Sequence, residues 1–112
     1  MQVRATAKNI RVSPRKVRLV LREVQGKSAS EALTLLRFMP VPIAREVSKI
    51  VRSAVANAEH NYNLDLRDLR VTRATADDAV TLKRFKARSR GRAAPRLRRA
   101  SHITVVVENS EA

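Results

Sequence analysis

The run Lys83-Arg84-Phe85-Lys86-Ala87-Arg88-Ser89-Arg90-Gly91-Arg92-Ala93-Ala94-Pro95-Arg96-Leu97-Arg98-Arg99 decides how this chain of 112 residues is read. Arg84, Lys86, Arg88, Arg90 and Arg92 recur at every second position, with Phe85, Ala87, Ser89, Gly91 and Ala93 between them. A period of two belongs to an extended strand, which sends the two sets to opposite faces, whereas a helix scatters them around its circumference. Small residues around Gly91 suit a turn and Pro95 is tolerated on an edge strand, so residues of about 80–101 are expected to form a long two-stranded hairpin. Arms of about nine residues would each reach roughly 30 Å. The hairpin's own apolar residues, Val80, Leu82, Phe85 and Leu97, are too few for a core, and isolated two-stranded ribbons are marginal in water. Nine positive charges within 83–99 oppose its closure further, which implies a polyanion lying against it. The other reading of the same run is a solvated basic loop that binds polyanions loosely.

Outward from this run the chain reads as one α+β domain. Residues 2–8 alternate, with Val3, Ala5 and Ala7 on one side, as in a half-buried strand. Ser13-Pro14 supplies an N-cap and a first-turn proline for a helix with Val17, Val20, Leu21 and Val24 on its apolar face, ended by Gly26. Ser28 and Glu31 form a capping box for a second helix, with Ala32, Leu33, Leu35 and Leu36 inward and Pro40 and Pro42 at its end. A third helix carries the stripe Ile43, Val47, Ile50, Val51, Ala54, Val55 and Ala58, with Asn61 and Asn63 marking its end. Leu69, Val71 and Arg73 suggest a second strand, and Ile103, Val105 and Val107 a third. The expected fold is three helices packed on a small antiparallel three-stranded sheet, with a long extended basic β-hairpin. Its core comprises 1–79 and 102–109, its hairpin about 80–101, and 110–112 is a frayed end.

Lys plus Arg number 24 and Asp plus Glu 10, a formal charge of +14, so the natural partners are nucleic acid or an anionic surface. The charge is local: no acid lies between Asp78 and Glu108, and residues outside 83–99 net only +5. Residues 44–78 are neutral, because Arg45, Lys49, Arg52, Arg67, Arg70 and Arg73 are matched by Glu46, Glu59, Asp65, Asp68, Asp77 and Asp78. A second basic cluster, Arg4, Lys8, Arg11, Arg15, Lys16, Arg18 and Arg22, surrounds the first helix and reads either as a phosphate contact or as a solvated helix face. A hydrophobic content of 44% argues against wholesale disorder. The absence of cysteine excludes a disulfide framework and thiolate metal sites. Met1-Gln2-Val3-Arg4 has no apolar signal region, and Val105 to Val107 falls far short of the roughly 20 apolar residues of a membrane span.

An enzyme is not expected. His60, His102 and the pair Asp77-Asp78 form no catalytic or metal-binding motif, and with Gly26 and Gly91 as the only glycines there is no phosphate loop. No cofactor is implied. Aromatics are 3% of the chain, Phe38, Tyr62 and Phe85, so recognition should go through phosphate rather than a base-stacking platform. No helix-turn-helix, zinc-finger or basic-zipper pattern is visible, and a period-two basic ribbon suits threading between folded RNA segments.

Particular residues carry a resemblance. Ala7-Lys8-Asn9-Ile10-Arg11-Val12-Ser13-Pro14-Arg15-Lys16-Val17-Arg18, Ser53-Ala54-Val55-Ala56-Asn57-Ala58-Glu59-His60-Asn61, Lys83-Arg84-Phe85, Gly91-Arg92-Ala93 and Ser101-His102-Ile103-Thr104-Val105-Val106-Val107 are similar to the universal large-subunit ribosomal protein family L-twenty-two, most closely its bacterial type. The resemblance implies a structural protein of the large subunit, bound early in assembly to several domains of large-subunit ribosomal RNA, in a cytoplasmic ribosome, with an organellar ribosome as the open alternative. It places the globular part near the outer mouth of the peptide exit tunnel and the hairpin along the tunnel wall. The tip Arg88, Ser89, Arg90, Gly91 and Arg92 would then lie near the constriction, where the nascent peptide passes and where macrolide response is influenced. RNA-binding residues implied are Lys83, Arg84, Lys86, Arg88, Arg90, Arg92, Arg96, Arg98 and Arg99, and Arg11, Arg15, Lys16 and Arg18 of the second basic cluster are expected to contact RNA as well. Implied partners are ribosomal RNA, other large-subunit proteins and the nascent peptide, with no membrane and no homo-oligomer. Two departures stand out: Asp77-Asp78-Ala79-Val80 lacks a glycine often found where the hairpin begins, and Lys86 replaces a common proline, adding a charge and a backbone donor. The alternatives left open are a nucleoid-type polyanion binder and an anionic-membrane binder, the latter disfavoured by the strand period of the basic segment.

If the hairpin depends on a polyanion, its amides should exchange rapidly in the free protein and slowly in the RNA complex. Strong protection in the free protein would contradict that dependence.

Overall fold

The computed structural model describes residues 2–79 and 100–109, and between them the backbone of the paired segments 82–87 and 93–98. In chain order the elements are β1 (Gln2–Ile10), α1 (Pro14–Val24), α2 (Ala29–Phe38), α3 (Pro42–Tyr62), a 3-10 turn (Leu66–Asp68), β2 (Leu69–Asp78), β3 (Leu82–Ala87), β4 (Ala93–Arg98) and β5 (Ser101–Asn109). β1, β5 and β2 form an antiparallel sheet with β5 in the middle, while β3 and β4 form a separate two-stranded ribbon. The three helices pack on one face of the sheet, as the apolar periodicities predict.

The core joins that face to the helical stripes. Val3 and Ala5 of β1, Ile103, Val105 and Val107 of β5, and Leu69, Val71, Ala74 and Ala76 of β2 are buried against Val17, Leu21 and Val24 of α1 and Val47, Val51, Ala54 and Ala58 of α3. α3 buries its whole expected stripe. Asn63 ends it in the left-handed region (φ 55°), with its amide and that of Leu64 directed at the Ala58 carbonyl. Pro42, expected to close α2, instead opens α3 as its first residue, where a missing amide costs nothing. Ser28 caps α2 by accepting from the Glu31 amide at 3.3 Å. Ser13 occupies the cap position of α1 without a side-chain cap bond.

Gly26 is needed where it stands. Its φ of +86° turns the chain after α1 so that its amide donates to the Val71 carbonyl at 2.7 Å, and the Val71 amide donates in return to the Lys27 carbonyl at 2.9 Å. Asp65 caps the 3-10 turn, and hydrogen bonds from Arg67 hold its carboxyl below the ordinary carboxylate range. That small contribution, present above the unfolded carboxylate pKa, is lost as pH falls through the folded one.

Two bulges account for departures from strict alternation. In β2 the pairing with β5 shifts between Val71 and Arg73, so Thr72 is the extra residue. The inward set therefore changes from Leu69 and Val71 to Ala74 and Ala76, and Arg73, expected on the inward side, is exposed. In β1 the register shifts between Ala7 and Ile10, where Asn9 takes a φ of 59°. β5 also starts earlier than expected: Ser101, placed at the end of the hairpin by its sequence, is fully buried in the core strand.

Leu69→Ala, which empties a buried site between sheet and helices, should lower unfolding free energy by roughly 2–5 kcal/mol. Urea denaturation checks this. A loss below that range would show that the surrounding helices close over the gap.

Candidate nucleic-acid interface

The ribbon takes its character from its register. Leu82 stands opposite Arg98, Arg84 opposite Arg96 and Lys86 opposite Ala94, alternating with the pairs Lys83 and Leu97, Phe85 and Pro95, and Ala87 and Ala93. Directly opposed residues of an antiparallel pair share a face. Register positions 84, 86, 96 and 98 thus fall on one face with four basic residues, and the other face receives one, Lys83. This is the two-faced arrangement that the period of two predicts. Like charges directly opposed, as at Arg84 and Arg96, oppose pairing unless an anion lies over them. Pro95 has no amide to give and stands on a two-stranded ribbon, where each strand is an edge. The expected tip, Arg88, Ser89, Arg90, Gly91 and Arg92, and also Arg99, lie outside the described residues.

The root of the ribbon is an extension of the sheet. Asp77 pairs with His102 and Asp78 with Ser101, and the Ala79 amide donates to the Ala100 carbonyl at 3.0 Å. Hydrogen bonds fasten the joint between β1 and α1 to this end. Arg18 donates through Nε (3.1 Å) and a terminal nitrogen (2.7 Å) to the Ala76 carbonyl. Ser101 Oγ donates to the Val12 carbonyl, and the Asn9 amide donates to His102 Nδ1 at 3.2 Å.

The consequence is that the basic segment around α1 is held at the end of the sheet from which the basic ribbon departs. Arg11, Arg15, Lys16 and Arg18 are exposed on the joint and first turns of α1, beside the strand ends from which the ribbon departs. Arg18 is partly committed: two of the five guanidinium N–H groups serve Ala76, leaving three for an external acceptor. Asp77 and Asp78, exposed at the end of β2, are the acids of this end. Sequence reasoning named the cations but missed Asn9, Ser101 and His102 as the fastening that gathers them. The only signal for Ser101 was a small polar residue ahead of an apolar alternation, which by itself reads as a turn.

No catalytic geometry accompanies the cations among the described residues. His60 is exposed at the end of α3, and His102 accepts a backbone bond in the strand. Among the described residues no three of His, Asp or Glu are grouped to hold a metal, and no helix is long and apolar enough to cross a membrane.

The described residues thus form an α+β core that carries a basic two-faced ribbon, with a second basic group at its root. A model of the ribosomal protein L22p/L17e family matches residues 5–108, and the chain belongs to that family. It is similar to the large ribosomal subunit protein uL22 of Clostridium novyi (strain NT), with 51% identity over 96% of this chain and 97% of the relative. The protein of the same name from Synechococcus sp. (strain JA-3-3Ab) is 50% identical over 98% of this chain and 89% of its own length. That from Latilactobacillus sakei subsp. sakei (strain 23K) is 49% identical over 96% and 92%. Membership makes the chain a structural ribosomal protein and not an enzyme.

Ser101→Ala leaves the Val12 carbonyl without its hydroxyl partner and should lower stability by about 1–3 kcal/mol. An unchanged urea midpoint would show that the fastening contributes nothing.

Proposed function

We propose that this protein is a constituent of the large ribosomal subunit that binds large-subunit ribosomal RNA through phosphate contacts, supports subunit assembly, and lines the peptide exit tunnel with its hairpin. The observation that carries the reading is the register of β3 and β4, which assembles four basic positions on one face and opposes Arg84 to Arg96. Such a ribbon is stabilised when phosphates replace the mutual repulsion of its own charges. Resemblance along nearly the whole chain to proteins named for the large subunit supports the choice of that particle.

In this reading Lys83, Arg84, Lys86, Arg88, Arg90, Arg92, Arg96, Arg98 and Arg99 neutralise RNA along the ribbon. Arg11, Arg15, Lys16 and Arg18 anchor the root. Arginine outnumbers lysine on the ribbon because its planar fork takes two phosphate oxygens at once and also stacks on bases. The tip Arg88, Ser89, Arg90, Gly91 and Arg92 faces the nascent peptide, and a change there alters macrolide response through the tunnel wall. The globular core sits at the tunnel mouth among other large-subunit proteins, as a single copy in a cytoplasmic ribosome.

The test is the joint replacement Arg88→Ala, Arg90→Ala and Arg92→Ala. RNA affinity should fall, and the slope of log K against log salt should become shallower by about 0.7–0.9 for each phosphate that is no longer neutralised. A salt slope identical to that of the unaltered protein would remove the hairpin from the interface. Equal affinity of the unaltered protein for arbitrary duplex DNA would favour a general nucleoid-type binder instead.

A further inference from the structure

The two edges of the sheet are finished differently. Along β2 the loop between α1 and α2 acts as a cover: Gly26 and Lys27 exchange backbone hydrogen bonds with Val71, the Ala74 amide donates to Gln25 Oε1 at 3.4 Å, and Ser28 bridges to Arg70. Along β1 the ladder to β5 is unbroken from Gln2 opposite Glu108 to Ala7 opposite Ile103, and among the described residues no backbone group bonds to its other side. In an antiparallel pair every second residue turns both its amide and its carbonyl away from the partner strand. The stretch Gln2 to Ala7, about 20 Å long at the usual strand rise, is therefore an edge of donors and acceptors in alternation. It holds no proline, and the β1 bulge lies beyond Ala7, so nothing within it blocks the addition of a further strand.

The side chains along this edge narrow the choice of occupant. At the end of the sheet opposite the ribbon's root, Gln2, Val3 and Arg4 share a hollow of about 380 Å³ with Asn57, Asn61 and Tyr62 of α3. Asn57 and Asn61 stand one helical turn apart and are exposed, as is Tyr62. Carboxamides and a phenol both donate and accept, which suits the polar groups of a peptide. No acid lines the hollow among the described residues, and Glu108 on β5 already accepts from Gln2 Nε2 at 3.4 Å. Arg4 and Lys8 are exposed on the face of β1 turned away from the helices. They oppose a second copy of the chain, because pairing two β1 strands about Thr6 sets Arg4 opposite Lys8, and pairing them about Arg4 sets it opposite itself. A sugar–phosphate strand presents mainly acceptor oxygens, which suit the edge amides and oppose the edge carbonyls. An extended peptide satisfies both sets, and acidic side chains at alternate positions place it on the two cations.

We infer that the free edge of β1 is a docking site for a strand supplied by another protein, an extended segment whose acidic side chains, at every second position, face Arg4 and Lys8 while polar ones between them meet Asn57 and Asn61. The added strand makes the sheet four-stranded, and the main-chain ladder gives the affinity while the alternate side chains give the selection. The contact is with protein and does not depend on RNA binding by the ribbon.

The test uses assembled large subunits in which a photo-crosslinking residue replaces Gln2 or, separately, Thr6, leaving both cations in place. Both should attach to one segment of one protein, at points about four residues apart, with acidic residues at alternate positions of that segment, because strands paired in register advance together. Attachment to RNA, to residues that do not lie on one extended run, or to nothing at all overturns the docking site. Arg4→Glu with Lys8→Glu should lower the yield from the residue replacing Thr6 by roughly 5- to 50-fold, since two attractive cross-strand pairs become repulsive. Arg4→Lys should keep the yield, and an unchanged yield in the double glutamate variant overturns the choice of an acidic strand. In the free full chain, hydrogen exchange should be fast at every second amide from Gln2 to Ala7 and slow at those bonded to β5; slow exchange at both sets would show the edge already closed and overturn the site. Each of these failures leaves the salt slope of the hairpin variant, and with it the proposed function, untouched.

Discussion

β2 and β5 are adjacent antiparallel strands, and this pairing is the constraint on which the rest depends. Any segment joining such a pair must leave and return at the same end of the sheet. Here the pairing runs to Asp78 and Ser101 and continues through the bond between Ala79 and Ala100. The ribbon therefore starts two strands wide, with its root set by the core. Ile103, Val105 and Val107, buried on β5 just past the root, each contribute roughly 1.5–3 kcal/mol of burial. Opposed like charges on the ribbon cost at most about 1 kcal/mol per pair. At the root burial wins; along the ribbon the sequence supplies few apolar residues and many like charges, a repulsion that RNA phosphates offset in the proposed function.

That division explains why the basic cluster around α1 belongs with the ribbon. Arg18 and Ala76 are 58 residues apart in sequence but joined by two hydrogen bonds. These bonds fix the cations of α1 at the end of the sheet that carries the ribbon. Ser101 and His102 hold the same joint from the other strand. The bulge at Asn9 gives the joint its direction, because a left-handed residue there turns its amide toward His102.

The legible part of the fold was the part governed by a regular period. The stripe from Ile43 to Ala58, the alternation of Ile103, Val105 and Val107, and the Ser28 cap are local patterns with one structural solution each, and the structure contains all of them. Arg73 was misread because a bulge is a change of phase, and no residue type in Val71-Thr72-Arg73 announces it. Pro42 was misread because a proline that ends one helix and a proline that begins the next look alike when three residues separate the two. The fastening by Asn9, Ser101 and His102 was illegible for a different reason: it joins β1 to β5 across most of the chain, and sequence spacing carries no information about that meeting.

Charge was legible along the chain and less so across it. A window over residues 44–78 sums to neutrality, yet a partner approaching the surface meets no such sum. Helix α3 carries Arg45, Lys49 and Arg52 with Glu46 in its first half and Glu59 near its end, about 10–21 Å beyond the three cations at the usual helical rise. That is about one to three Debye lengths, so Glu59 offsets the nearest cation more than the farther ones and the first half keeps a net positive field. Arg37 comes from a different helix and deepens the positive end because the short link through Pro40 folds α2 back against α3. Neutrality by count therefore excludes neither a local field nor a local partner; only the placement of the residues in space decides which charges a neighbour encounters together.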